Sequence, residues 1–110
     1  MHARMTHPVY LVPAAREALQ DYARAAHGLG VSTETLELVH LRASQINGCS
    51  VCVEMHSVGL KKQGSTDERV YAVAAWRDAP YFTDAERAAL ALAEAVTRVA
   101  DHGEPVSDEL

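Results

Sequence analysis

Two cysteines three positions apart, Cys49 and Cys52, are followed four residues later by His56. Asn47-Gly48 is a turn dipeptide immediately before them, so both thiols are predicted to sit in the first turn of a helix. The positive end of the helix dipole there lowers thiol pKa and favours thiolate. Helical positions three apart hold their Cα atoms about 5 Å from one another, which is within disulfide range. His56 lies four residues beyond Cys52 and seven beyond Cys49, on the same helical stripe. An imidazole one turn from a thiol can accept its proton or pair with its thiolate, which is the activation a weakly acidic nucleophile needs. The histidine is nearer Cys52 and the helix start is nearer Cys49, so the residues alone leave open which sulfur attacks. Glu37 lies beyond Gly48 and joins this group only if its helix packs against the one that follows.

Other readings compete for these residues. The cysteines can be small apolar core residues. Cys49, Cys52, His56 and Glu37 are also types that suit a tetrahedral zinc ion in a non-enzymatic helical module. Structural zinc sites usually recruit a second Cys/His pair from a separate knuckle, and this sequence has none. Glu37 can be a solvated carboxylate favoured by an early helical turn. His40 and Arg42 read as surface or packing residues, and Met55 reads as core. His2, His7, His27 and His102 lie near the termini or helix ends, where solvation is the default. Trp76, Tyr81 and Phe82 stand beside a helix break, which suits packing better than a substrate platform.

The elements that must position the pair follow from apolar spacing. Ala14, Ala15, Ala18, Leu19, Tyr22, Ala23 and Ala26 predict a first helix over 14–27, after Pro13 and before Gly28 and Gly30. Ser32 or Thr33 caps a second, with Leu36, Val39, Ala43 and Ile46 on its apolar side and Glu37 in its opening turns. A third runs from Cys49 to Gln63, with Lys61 and Lys62 in its last turn and Gly64 after it. Ser65-Thr66-Asp67-Glu68 has capping-box spacing for a short fourth helix through Val70, Ala74 and Ala75, ending near Ala79-Pro80. Thr83-Asp84-Ala85-Glu86 repeats that device. It opens a long fifth helix marked by Ala88, Ala89, Leu92, Ala93, Val96 and Ala100, which ends by Gly103. Ser107-Asp108-Glu109 resembles the cap of one more.

No strand-like alternation competes, so the expectation is one all-α domain over 1–110, a bundle of about five to six helices. With 48% apolar residues but one Phe and one Trp, its core must be built from closely packed aliphatic side chains. A net charge of −5 argues against nucleic acid and anionic membranes as partners, because both call for a basic face. No apolar stretch approaches the roughly 20 residues of a membrane span, and residues 1–8 lack a signal-peptide core. A cytoplasmic protein is expected, where two cysteines serve chemistry or metal binding rather than a structural framework. No flavin, haem or nucleotide motif is visible, so no cofactor is expected. Ala-rich helices in so short a chain also predict a homo-oligomer.

The run from Glu37 through Ser44-Gln45-Ile46-Asn47-Gly48-Cys49 to Cys52 and His56 closely resembles the core of the alkylhydroperoxidase D-like branch of the carboxymuconolactone decarboxylase superfamily. The likeness continues through Gly64, Arg69, Trp76, Arg77, Phe82, Glu86, Arg87 and Thr97. It implies an AhpD-like bundle with the CxxC at the start of a central helix, and a thiol peroxidase acting on organic hydroperoxides. In such a centre Cys52 is attacked by the hydroperoxide, Cys49 donates a proton and resolves the sulfenic acid, and Glu37 and His56 relay protons. A dithiol-reducing partner protein would reset the disulfide, and related proteins form trimers or hexamers. Val51 stands where some members carry a second histidine, which implies a weaker peroxidase or a different preferred oxidant. General thiol–disulfide exchange is the nearest alternative. Lactone decarboxylation, the reaction that names the superfamily, uses no cysteine pair. Members commonly continue into another helix beyond the point where this sequence stops, which implies a shortened chain.

Overall fold

Apolar residues recurring every three or four positions fold as helices along the chain, as their spacing requires. A computed structural model describes residues 2–102 and 107–108, and among these no residue is in a strand. The chain divides into two compact units, Met1–Ser32 and Thr33–Leu110.

In the first unit, α1 is the single turn Pro8–Leu11, capped by His7, whose Nδ1 accepts the Val9 N–H at 3.3 Å. The next helix, α2, spans Pro13–Ala25 and takes Pro13 inside it as its first residue rather than ahead of it. That position suits proline, whose missing N–H would be unpaired there in any case. None of the α2 side chains is buried, and Leu19 and Tyr22 are exposed.

The second unit contains α3 (Thr33–Asn47), α4 (Ser50–Lys62), α5 (Asp67–Ala72) with a tight 3-10 turn (Val73–Ala75), α6 (Asp84–Thr97) and α7 (Val99–His102). Its hub is α3, which packs on α4, on α6 and on the 3-10 turn. Leu38 and Leu41 of α3, Leu60 of α4, Val73 of the 3-10 turn and Leu90 of α6 are fully enclosed, with Trp76 and Phe82 completing the core. The expected α3 face is shifted. Leu36, Val39, Ala43 and Ile46 are half-buried, while Leu38, Leu41 and Ser44 are buried, because neighbours cover α3 on more than one side.

Three further expectations are corrected. The cap of α5 is Thr66, whose hydroxyl accepts the Arg69 N–H, and not Ser65. Ser65 is committed elsewhere: its N–H closes α4 on the Leu60 carbonyl at 3.1 Å, and its hydroxyl donates to Glu34 at 2.5 Å. The fifth expected helix stops at Thr97 and resumes as α7, with Arg98 out of helical geometry. Beside that break the Thr97 hydroxyl donates to the Ala93 carbonyl at 2.6 Å, a back-bond that bends helices. On α6 the interior face is Glu86, Leu90, Ala93 and Glu94, so Leu92 and Val96 face solvent. The capping box of Thr83 and Glu86 forms as expected. The expected stop at Gly103 and the cap residue Glu109 lie outside the described residues. Among those described, no helix is long and apolar enough to cross a membrane.

Candidate active site

One residue ends α3 and begins α4. Gly48 takes φ +70°, and its N–H bonds the Gln45 carbonyl at 3.3 Å while the Cys49 N–H bonds the Ser44 carbonyl at 3.1 Å. This paired closure needs a left-handed residue, which glycine supplies without a steric penalty. Cys49 is then the N-cap of α4: its carbonyl accepts the Val53 N–H at 2.9 Å, and its Sγ accepts the Cys52 N–H at 3.3 Å. The turn therefore holds Cys49 Sγ over the free N–H groups at the start of α4. There it is joined to Cys52 in a disulfide with the two Cα atoms 5.3 Å apart. Both cysteines are half-buried. With their sulfurs bonded to each other they offer no thiolate, so a zinc site of Cys49, Cys52, His56 and Glu37 belongs to the reduced pair alone.

His56 follows Cys52 by one turn, about 6 Å of helical rise. Across the α3–α4 seam, its Nδ1 is 2.8 Å from Glu37 Oε2, with both side chains about four-fifths buried. The structure thus brings Glu37 to the imidazole, as a short Asn-Gly connection allows. Two residues complete the arrangement: Gly59, which the sequence did not point to, and His40, read there as a surface or packing residue without chemistry. At Gly59, a Cβ would stand 2.6 Å from Glu37 Oε2, so the carboxylate rests against α4 where only glycine leaves room. His40, exposed on α3, lays its ring 4.8 Å from that of His56 between centroids. Among the described residues, Glu37, His40 and His56 form a cluster whose ligand atoms lie close enough together to hold an ion. Gly59 sits in helical rhythm with no turn signal, and the His40 contact depends on helix register, so neither carries a sequence signature.

An open groove of about 540 Å³ runs along α4, lined by Val51, Met55, Val58, Gly59 and Glu37 among others. Met55, expected in the core, is 58% exposed here, because the helix turns its Leu60 side inward instead.

Buried charge holds α3 in place. At one end Arg69 bonds Glu86 at 2.7 Å and Glu34 at 3.2 Å, and also donates to the Tyr81 carbonyl. Its bond to Glu86 raises the Arg69 guanidinium above its usual value. Burial alone would push Glu86 up, but Arg69 and the Thr83 N–H outweigh it and hold the carboxyl below its ordinary value. At the other end Glu94 receives Arg77 at 2.5 Å, Arg42 at 2.8 Å and the Trp76 indole N–H at 3.0 Å. Burial opposes the charge on Glu94, yet these donors prevail and lower its pKa from 4.5 to about 2. Arg42 is thus a packing residue, as expected. Trp76 and Phe82 are buried, while Tyr81 is exposed.

The sequence pattern of the Carboxymuconolactone decarboxylase family matches residues 12–95. YdfG of Bacillus subtilis, an uncharacterized protein, is 32% identical over 100 residues, covering 91% of this chain and 67% of its own length. Alkyl hydroperoxide reductase AhpD of Hyphomonas neptunium is 42% identical over 43 residues, covering 39% of this chain and 24% of its own length. Among solved structures, a protein of unknown function from Agrobacterium tumefaciens, suggested to be the antioxidant defence protein AhpD, has TM-score 0.84 at 32% identity. That likeness covers 94% of this chain and 70% of the other.

Proposed function

Because the chain belongs to the Carboxymuconolactone decarboxylase family, and within it has an AhpD-like fold with a CxxC pair, we propose that it reduces organic hydroperoxides through a dithiol/disulfide cycle. The observation that carries this reading is a disulfide at the entrance of α4 with a hydrogen-bonded imidazole–carboxylate pair one turn further along the same helix.

Starting from the reduced pair, the Cys52 thiolate attacks the terminal oxygen of the hydroperoxide. The O–O bond breaks, the sulfur becomes a sulfenic acid, and the alkoxide takes a proton and leaves as an alcohol. Cys49 sulfur then attacks the sulfenic sulfur, forming the disulfide and releasing water. An external dithiol reduces that disulfide and departs as its own disulfide. His56 accepts the thiol proton at the start and delivers protons to the leaving oxygens, while Glu37 orients the ring and stabilises its charged form. In this reading the reductant is a partner protein with an accessible dithiol, and the cytoplasm, which keeps thiols reduced, is the compartment that suits it. Exposed Leu92 and Val96 on α6 support assembly into a homo-oligomer, and the trimer or hexamer is what the family resemblance implies.

The apolar edge of the groove, where Val51 is 72% exposed next to Cys52, favours a second reading in which the same pair exchanges disulfides with proteins. Turnover of cumene hydroperoxide with a dithiol reductant separates the two. Cys52→Ser should abolish it, Cys49→Ser should slow it and leave a trappable sulfenic acid on Cys52, and His56→Ala should slow it by about 100-fold. Full activity in both single-cysteine variants would rule out the cycle, and reduction of a disulfide substrate without peroxide turnover would favour exchange.

A further inference from the structure

Glu37 and His40 stand one turn apart on α3, and His56 faces them from α4. One carboxylate oxygen and one nitrogen from each imidazole all lie within 4.8 Å of one another. We propose that these three side chains form a binding site for a divalent transition-metal ion of the zinc type, independent of the cysteines.

The donor set argues for that class of ion. Two imidazoles and one carboxylate suit zinc and its first-row neighbours, whereas calcium and magnesium call for oxygen donors alone. A pair of ligands at i and i+3 on one helix, completed by a ligand from the facing helix, is also how helical bundles build metal centres. The geometry needs little change. Bonds of about 2.0–2.2 Å around a tetrahedral ion place donors roughly 3.3–3.6 Å apart. Glu37 Oε2 and His56 Nδ1 are already 2.8 Å apart, and the His40 donor lies within 4.8 Å of both. Gly59 leaves the carboxylate its place on this seam. His40 is exposed, so the ion reaches the site from solvent and keeps a water as a further ligand.

The site carries a consequence that rests on the reading of the previous subsection. An ion held by Glu37 and His56 occupies the pair assigned to proton transfer, so zinc binding and peroxide turnover exclude each other.

The test uses the full chain with its disulfide intact, so that no thiolate competes. Isothermal titration with Zn²⁺, repeated with Co²⁺ followed by its visible absorption, should show one site per chain. His40→Ala and Glu37→Gln should each weaken binding by at least about 10-fold, while the control His27→Ala, a histidine outside the cluster, leaves it unchanged. Equal binding by wild type and His40→Ala, or none by the wild type, overturns the proposal. Turnover of the reduced enzyme under zinc is read separately: stoichiometric binding without inhibition would leave the site standing and remove the proton-transfer role of Glu37 and His56.

Discussion

At Gly59 the absence of a side chain sets how closely the Glu37 carboxylate approaches α4. A Cβ there would meet Oε2 at 2.6 Å and the carboxyl carbon at 2.7 Å, both at the far end of a flexible side chain. The cheap response is for the carboxylate to swing away, which breaks its 2.8 Å contact with His56. Alanine also gains up to about 1 kcal/mol over glycine within a helix. We therefore expect Gly59→Ala to keep or raise the thermal midpoint while peroxide turnover falls by about 10-fold or more; unchanged turnover would mean that the carboxylate does not act through His56. Cys49, Cys52 and His56 were legible in the sequence because their spacing along one helix defines their relation. Glu37 was legible only through the resemblance, and Gly59 and His40 were not, because contacts across a helix seam depend on a register that spacing within each helix does not set.

The turn between α3 and α4 aims both cysteines, and its geometry rests on Gly48 at φ +70°. A Cβ in that conformation costs about 1–2 kcal/mol, so Gly48→Ala should lower the unfolding free energy in urea by that amount; no change would show that the turn relaxes freely. The opening of α6 is held by the reciprocal bonds of Thr83 and Glu86, at 3.2 Å and 2.8 Å. Thr83→Ala removes one of them and should cost about 1 kcal/mol, with urea denaturation as the measurement and a loss below a few tenths counting against the cap. Capping residues and glycines made the helices legible from Thr33 onward. Which face of α6 turns inward was not, because Glu86 and Glu94 are buried through arginines of other elements, and no spacing within α6 signals those partners. The shift from Ser65 to Thr66 at α5 has a similar origin, since Ser65 is drawn to Glu34 on a distant part of the chain.

For the second unit as a whole, Glu94 links acid stability to the position of α3. Its pKa falls from 4.5 to about 2 on folding, so its stabilisation is complete above about pH 4.5 and is lost as pH drops through 2. That shift corresponds to about 3 kcal/mol. Glu94→Gln should therefore be less stable than wild type at neutral pH, and the gap should narrow between pH 4.5 and 2; curves that stay parallel across that range would contradict the assignment. The all-helical architecture was legible among the described residues from Pro13 to Thr97, because helical periodicity is local, whereas the single turn α1 was not foreseen and the hub role of α3 emerged only from packing. The central claim is that Cys52 takes the peroxide oxygen and Cys49 resolves it. The intact mass of reduced Cys49→Ser, treated with one equivalent of cumene hydroperoxide and the sulfenic-acid trap dimedone, tests it most directly. We expect a single adduct, mapped to Cys52, and none on Cys52→Ser under the same conditions. An adduct on Cys49 in Cys52→Ser, with none on Cys52 in Cys49→Ser, would contradict it.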